Sequence, residues 1–194
     1  MKRVIVITGT PGVGKSLVSA ELASRINAYV ISLGNLVREE KLYTSVNMER
    51  DTLVVNLERV SRRVMEMISS TPRDVIVEGH FAVDVVPSEE ASIVFVFRRD
   101  PEELKRVLES RSYKETKVAE NLAAELLDVC LYDAVRKYGV DKVCEIDVTS
   151  KSVDEVVQEI LDVLNGLRER RIGIVDWLEK LESEGKLEEY LRGF

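Results

Sequence analysis

The residues best suited to chemistry are residues 9–16, which read Gly-Thr-Pro-Gly-Val-Gly-Lys-Ser. They match G-x-x-x-x-G-K-[ST], the pattern of a phosphate-binding loop, or P-loop. Glycines let backbone N–H groups turn toward phosphate oxygens, and the dipole of a following helix adds positive potential there. Lys15 can reach the β- and γ-phosphates, and the Ser16 hydroxyl can ligate Mg²⁺. The pattern predicts a nucleoside triphosphate bound at a helix N-terminus.

A second phosphate would need its own cation, and the segment at residues 33–38 offers one. The segment is typical of a turn followed by a helix that starts at Asn35, with Arg38 one turn further on. An arginine in that place can clamp a phosphate through two hydrogen bonds. The alternative is an exposed helix arginine paired with a glutamate, and spacing alone does not decide between the two.

An acid and an imidazole follow the apolar run at residues 75–77, in the sequence Glu78-Gly79-His80. Ligands bind at the carboxyl ends of parallel strands, so Glu78 is expected beside the P-loop, where it could hold Mg²⁺ through a water. His80 is the single histidine of the chain, and the usual titration range of histidine suits proton handling or water orientation. The alternative is a strand-end histidine satisfied by the backbone.

A polar and basic stretch at residues 110–117 lies between two helical patterns. It could act as a lid that brings Arg111 or Lys114 to the transferring phosphoryl group and neutralises charge on its oxygens. A closing lid would also exclude water, which limits hydrolysis. A plain surface loop is the alternative.

Apolar runs and helical patterns alternate along the chain and predict the elements that position these residues. Continuous apolar runs, typical of strands covered on both faces, occur at residues 4–7, 75–77 and 93–97, with weaker ones at 28–31 and 143–148. Helical patterns occur at residues 15–25, 53–69, 101–109, 117–138 and 153–164. This alternation predicts an α/β fold of the P-loop NTPase type, a doubly wound parallel sheet with helices on both faces.

Composition and charge bound the class of protein. A net charge of −7 and an isoelectric point near 5.0 argue against broad nucleic-acid binding, and no direct sequence-specific contact with nucleic acid is expected. No stretch suits a signal peptide or a membrane span, which predicts a cytoplasmic protein without a membrane partner. Cys130 and Cys144 lack the spacing of a zinc site and are expected to be reduced thiols.

The last part of the chain, residues 166–194, differs in character from the rest. A charge run at residues 168–171 precedes apolar residues at helical spacing, namely Ile174, Val175, Trp177, Leu178 and Leu181. The pattern predicts a C-terminal helical extension packed on the domain, since a single apolar stripe usually meets its own core. A partner-binding helix is the alternative.

Other P-loop classes need elements that this chain lacks. Small GTPases need an Asn-Lys-x-Asp element to read the base, and ABC-type ATPases need a Ser-Gly-Gly-Gln-like signature, and neither occurs. A short chain with the loop near its start favours a nucleoside monophosphate kinase or a related small kinase. A kinase for a non-nucleotide metabolite stays open, because the side chains that choose the acceptor cannot be placed from the sequence.

With these residues in view, the chain resembles the adenylate kinase isoenzyme 6 family, a group of nuclear adenylate kinases and ribosome-assembly factors with archaeal members. The resemblance extends over about residues 4–147. Its most telling parts are residues 8–15, residues 34–40 with 42–43, Glu78-Gly79-His80, and the Arg111-x-Tyr113 pair of the lid. The chain departs from the family where Glu78 replaces a common Asp, Ser112 a common Gly and Val107 a common Arg.

The resemblance implies a kinase domain at residues 1–165, with a monophosphate-binding segment at about 32–55 and a lid at about 110–120. ATP would be held by Gly12, Val13, Gly14, Lys15, Ser16, Leu17 and Arg111. The monophosphate would be held by Gly34, Asn35 and Arg38, and Mg²⁺ by Ser16 and Glu78. Lys15, His80 and Arg111 would be the catalytic residues.

The activity implied by the resemblance is Mg²⁺-dependent transfer of the ATP γ-phosphoryl group to AMP or another nucleoside monophosphate, together with ATPase activity. The family also takes part in the maturation of small-subunit ribosomal RNA. That role implies a small-subunit ribosomal protein and a pre-ribosomal particle as partners. An ATP-switched assembly factor with little kinase activity is the alternative.

Overall fold

A five-stranded parallel sheet forms the centre of the computed structural model, which describes residues 2–47 and 52–191. The strands of these residues are β1 (Val4–Gly9), β2 (Tyr29–Ser32), β3 (Tyr43–Asn47), β4 (Thr52–Val55), β5 (Val75–Glu78), β6 (Ile93–Arg98) and β7 (Val143–Asp147). The central sheet has the order β2-β5-β1-β6-β7, with every neighbouring pair parallel. β3 and β4 form a separate antiparallel pair.

Helices connect the strands and cover the sheet. They are α1 (Lys15–Ile26), α2 (Leu33–Glu39), α3 (Leu57–Ser70), α4 (Ala82–Val85), α5 (Pro101–Ser110), α6 (Glu115–Leu126), α7 (Val129–Tyr138), α8 (Val153–Leu164), α9 (Trp177–Ser183) and α10 (Leu187–Leu191). A short 3₁₀ turn spans Val140–Lys142. The Asp100 carboxylate caps α5 by accepting from the amides of Glu102 and Glu103, and Ser152 and Glu155 form a capping box at the start of α8.

The strands are buried on both faces because their side chains alternate between two hydrophobic cores. In β1, Val4 and Val6 join the core under α2, α3 and α7, whereas Ile5 and Ile7 join the core under α1, α5 and α8. Continuous burial of this kind explains why the strands appear in the sequence as unbroken apolar runs. The predicted fold, a parallel sheet with helices on both faces, is confirmed.

Two predicted helices have different bounds in the structure. The pattern at residues 53–69 was expected to be one helix, but Leu53 belongs to β4, and α3 begins at Leu57 after Asn56 caps it by accepting from the Arg59 amide at 3.1 Å. β-Branched residues of β4 pair with β3 instead of continuing the helix. Residues 48–51, which lie in the predicted monophosphate segment, are outside the described part of the chain.

The pattern at residues 117–138 was expected to form one helix, but the structure has two helices there, α6 and α7. α6 ends at Leu126 and α7 begins at Val129, because Asp128 adopts a left-handed backbone conformation with φ of 55°. α2 begins at Leu33, ahead of the start expected at Asn35. Both differences are of the kind that tertiary packing imposes over local propensity.

The C-terminal segment packs on the domain. Trp177 and Leu181 of α9 are buried against Leu126 at the end of α6. The last residues of the predicted extension, 192–194, lie outside the described part. Among residues 2–47 and 52–191, no helix has the length and apolar character needed to cross a membrane.

Candidate active site

The P-loop joins β1 to α1 at the carboxyl edge of the sheet. β1 lies between β5 and β6, and the chain leaves β1 toward β2 on one side before it returns to β6 on the other. Ligands of open α/β sheets bind at the point where the strand order reverses in this way. The loop therefore lies where the fold itself favours a ligand.

Two glycines allow the loop its shape. Gly12 has φ of 98°, and a Cβ there would lie 2.9 Å from the Leu104 side chain of α5. Gly14 also has φ of 98° and precedes α1, but no atom lies within 4 Å of where its Cβ would be. Gly12 is thus needed for packing and backbone conformation together. Gly14 is needed for conformation, and the space beside it is open to a ligand.

Lys15 is buried at the first position of α1, with 8% of its surface exposed. Its ammonium donates to the carbonyl oxygens of Gly9 at 2.7 Å and Thr10 at 3.0 Å, so the side chain folds back over the loop. Burial lowers the pKa of Lys15 to about 8. A cation held with so little hydration interacts strongly with an arriving anion.

Ser16 and Glu78 are adjacent, as a shared metal site requires. The Ser16 hydroxyl donates to Oε1 of Glu78 at 3.1 Å, and the Glu78 side chain is 4% exposed. Glu78 ends β5 and is paired in register with Ile7 of β1. Hydroxyl and carboxylate oxygens are the hard donors that Mg²⁺ prefers, so the pair fits the ion together with phosphate oxygens.

Leu17, which follows Ser16 in α1, offers a backbone donor rather than its side chain. The Leu17 side chain is 65% exposed, and its amide lies in the first turn of α1, where N–H groups have no partner within the helix. The Val13 side chain is buried in the core. Leu17 can therefore contact phosphate only through its N–H, and the buried Val13 side chain serves to hold the loop against the sheet.

A cavity of about 850 Å³ opens beside the loop, between the β3–β4 hairpin, α2, α6 and α7. Gly34 and Arg38 of α2 line it, and Arg38 is exposed toward its space. Asn35 is exposed but is not among the lining residues of the described chain. The walls also include Tyr43, Leu53, Tyr113 and Lys117, which lie in segments that the sequence analysis indicated. Asp84, Asn121 and Asp133 line the cavity as well, and no motif indicated them.

His80 lines the same cavity, directly after Glu78 in the loop that follows β5. Its pKa is lowered to about 4, mainly by loss of hydration and in smaller part by the charges of Lys15 and Lys117. Its ring makes an edge contact with Phe81, with centroids 4.9 Å apart. The imidazole is thus neutral near pH 7, which suits hydrogen bonding to a substrate or water and not the proton exchange expected from an ordinary histidine.

Arg111 follows the last residue of α5, in the short connection to α6. Burial is the main cause of the lowered pKa of Lys15, and the charge of Arg111 contributes to it. Arg111 is not among the described residues that line the cavity. The predicted lid at about 110–120 is therefore the turn between α5 and α6 with the first turns of α6. Lys117, on α6, lies over the Tyr113 ring at 5.1 Å and lines the cavity.

A buried charge cluster behind the loop was not anticipated from the sequence. Arg98, 1% exposed, donates to Glu125 at 2.8 Å and to Glu145 at 2.6 Å, and it also contacts Asp128. Glu125 in turn accepts from the Thr10 hydroxyl of the P-loop at 2.6 Å. One signal was available, because Glu125 falls on the apolar stripe of α6 beside Leu126, where a carboxylate needs buried partners.

The arrangement can bind a triphosphate and place a second substrate next to it. The loop amides, Lys15 and the Ser16–Glu78 pair surround one anion site, and the cavity with Arg38 and His80 adjoins it. Lys15 lies at the anion site and Arg38 lies on the wall of the cavity. Cations on both sides of the place where the two sites meet suit a reaction in which negative charge moves between oxygens.

The chain is similar to several known proteins over most of its length. A family model described as an AAA domain matches residues 5–128. The chain is 39% identical over 176 residues to a protein of Methanocaldococcus jannaschii, covering 91% of this chain and 93% of that one. It is 38% identical to a protein of Methanosarcina barkeri (89% and 96% covered) and 35% identical to one of Thermococcus onnurineus (93% and 94% covered). All three bear the name "Putative adenylate kinase".

Solved structures share the fold at lower identity. A shikimate kinase from Bacteroides thetaiotaomicron has a TM-score of 0.55 and 17% identity, with 84% of this chain and 98% of that one covered. A gluconokinase from Sinorhizobium meliloti has a TM-score of 0.52 and 18% identity, with 85% and 93% covered. These similarities support the P-loop fold and do not bear on the acceptor.

Proposed function

The chain belongs to the adenylate kinase-like family of P-loop proteins represented by these archaeal relatives, and from that premise we propose that it transfers the γ-phosphoryl group of ATP to AMP. The observation that carries the proposal is the position of the 850 Å³ cavity, which adjoins the P-loop and has Arg38 on its wall. A hydrolase that uses water as its acceptor has no need of such a volume. A nucleoside monophosphate fills a space of this class.

The P-loop would bind ATP, the phosphoryl donor. Its amides and the start of α1 would hold the β-phosphate, and Lys15 would move from the carbonyls of Gly9 and Thr10 to the phosphate oxygens. Ser16 and Glu78 would hold Mg²⁺, which supplies neutralisation of charge on the β- and γ-phosphates when it is bound. Because the loop, Ser16 and Glu78 are held by the fold before substrate arrives, and Lys15 changes partners when ATP binds, little reorganisation is left for the transfer step.

The cavity would bind AMP, the phosphoryl acceptor. Arg38 would clamp the AMP phosphate and aim one of its oxygens at the γ-phosphorus, in line with the bond that breaks. That oxygen forms the new P–O bond while the bridging oxygen of ATP leaves with its electron pair, so that two ADP molecules result. Neutral His80 would donate or accept a hydrogen bond near the junction, and Arg111 would stabilise charge on the transferred group.

The test measures ADP formation from ATP and Mg²⁺ as a function of AMP. We expect turnover to depend on AMP, and a panel with CMP, GMP, UMP and simple hydroxylic acceptors to show whether AMP is preferred. Arg38→Gln is expected to raise the KM for AMP by about 10–100-fold, since a hydrogen-bonded charge contributes about 1.5–3 kcal/mol. The control is Arg73→Gln, an exposed arginine just before β5 at the amino edge of the sheet. Turnover that is indifferent to AMP would contradict the proposal.

A second candidate is an ATP-driven assembly factor of the isoenzyme 6 type, with ATPase activity and a ribosomal partner. The net charge of −7 supports this candidate, because an acidic surface suits a basic ribosomal protein. A pull-down from an archaeal extract with and without ATP tests it. Recovery of a small-subunit ribosomal protein that depends on nucleotide would favour the second candidate, and its absence would count against it.

A further inference from the structure

The C-terminal segment reaches the buried charge cluster behind the P-loop. The Trp177 indole donates to Oε1 of Glu125 at 3.1 Å, and the Ile174 amide donates to Oε2 of Glu145 at 2.9 Å. Trp177 is 6% exposed and both carboxylates are 2% exposed. The segment therefore supplies hydrogen bonds to two acids that have no access to water.

Glu125 connects that segment to the P-loop through its two oxygens. Oε2 accepts from the Thr10 hydroxyl at 2.6 Å, while Oε1 accepts from the Trp177 indole, from Nε of Arg98 at 2.8 Å and from the Arg99 amide at 3.1 Å. A buried carboxylate keeps one orientation only while its partners on both oxygens stay in place. The position of Thr10 is thus coupled to the presence of the indole.

Thr10 is held from two directions. Its hydroxyl is bound by Glu125, and its carbonyl oxygen accepts from the Lys15 ammonium at 3.0 Å. A change in the orientation of Glu125 would move Thr10, and with it the place from which Lys15 reaches the phosphates. Displacements of this kind lower catalysis well before they unfold a protein.

We propose that the C-terminal segment positions the phosphate-binding loop through the chain of contacts Trp177–Glu125–Thr10, with Trp177 and Glu125 acting as positioning residues. This rests on the proposed function only in taking the P-loop as the ATP site. Trp177 is accordingly part of the nucleotide-binding machinery, although it lies behind the loop and none of the described residues 166–191 lines the cavity.

Further contacts hold the same segment against the element that packs on the loop. Lys180 of α9 pairs with Asp100, which caps α5, and Lys186 pairs with Glu102 in the first turn of α5. α5 in turn contributes Leu104, which closes over Gly12. The segment therefore contacts the surroundings of the P-loop on two sides, at Glu125 and at the start of α5.

The test separates positioning from simple stabilisation. Trp177→Phe removes the indole N–H and retains a ring, and Glu125→Gln removes the charge and retains the size. The control is Ile68→Ala in the last turn of α3, which is 2% exposed in the core under α2, α3 and α7 and is not among the partners of the charged cluster in the described chain. It is expected to lower Tm by roughly 4–20 °C through the cavity it leaves.

ATP binding is measured by calorimetry, and kcat and KM by ADP formation, well below the Tm of every variant. We expect Trp177→Phe to weaken ATP binding or lower kcat by about tenfold, and Ile68→Ala to change both by less than about twofold despite its larger loss of Tm. Thr10→Val should match Trp177→Phe, and Thr10→Ser should restore the wild-type values. In the double variant Thr10→Val/Trp177→Phe the two effects should not add.

Additive effects, or a loss of binding that follows Tm equally in Trp177→Phe and Ile68→Ala, would overturn the proposal. The calorimetric measurement needs no acceptor. Coupling seen in ATP binding without AMP phosphorylation would therefore overturn the proposed function alone, whereas AMP phosphorylation without coupling would overturn the positioning role alone.

Discussion

The pH dependence of ATP binding follows from the buried ammonium of Lys15. Burial lowers its pKa to about 8 in the chain without nucleotide. Phosphate oxygens within reach would favour the charged form again, because an opposite charge raises the pKa of a lysine. Binding should therefore leave the proton count unchanged below about pH 8 and take up a proton at Lys15 above it, so that affinity falls as the pH rises.

The size of the effect can be worked out from that pKa. At about pH 9 only roughly one tenth of the free chain carries the Lys15 proton, so affinity for ATP should be about tenfold lower than at about pH 7, with uptake of about 0.9 proton. A tenfold change corresponds to about 1.4 kcal/mol. The phosphates do not titrate in this range, because the second pKa of a phosphate group is about 6.

Calorimetric titration with ATP and Mg²⁺ in two buffers of different ionisation enthalpy measures the proton uptake directly. Lys15→Met is the matched control, since it retains the length of the side chain and has no proton to gain. That variant should bind more weakly at every pH and show no uptake at about pH 9. Affinity that is constant from about pH 7 to about pH 9.5 in the wild-type chain, with no proton taken up, would refute the assignment of a low-pKa Lys15 to the phosphates.

Three further outcomes are expected. NMR of His80, the single histidine, should show a titration midpoint near pH 4, and a midpoint between about 6 and 7 would contradict the lowered pKa of this side chain, which is exposed and lines the cavity. Arg98→Met leaves buried carboxylates unpaired and should cost about 3–5 kcal/mol of unfolding free energy. Its control Arg62→Met, at an exposed pair, should cost less than about 1 kcal/mol, and similar losses of Tm would contradict the burial argument. Glu78→Gln should raise the Mg²⁺ concentration needed for half-maximal activity by about tenfold, and an unchanged requirement would exclude Glu78 from the metal site.

The fold could be predicted from the sequence because the strands are buried on both faces. Val4, Ile5, Val6 and Ile7 show the same signal whether their side chains point to one core or the other, and this continuity distinguishes parallel strands from half-exposed ones. The β3–β4 hairpin could not be found in this way. Its residues are mostly exposed or half-buried, so neither a run nor a clear alternation marks them.

The site could be predicted only where function demands a local motif. The residues proposed to hold the ATP phosphates lie mostly consecutively in the P-loop, since a loop and a helix N-terminus suffice to bind an anion. Glu125, Thr10 and Trp177 meet across 115 and 52 positions of the chain, and no short pattern records contacts of that separation. The neutral state of His80 is likewise a property of the surrounding walls and charges, which exist only after folding.

The most direct test of phosphoryl transfer to AMP follows a label from ATP to product. ATP carrying ³²P at the γ-position is incubated with AMP, Mg²⁺ and the full chain, and the products are separated before the label has been redistributed by reversal. The label should appear in the β-phosphate of ADP formed from AMP, with one such ADP for each ATP consumed, and Lys15→Met should abolish this transfer. Label released as inorganic phosphate at a rate unaffected by AMP would contradict the proposed function.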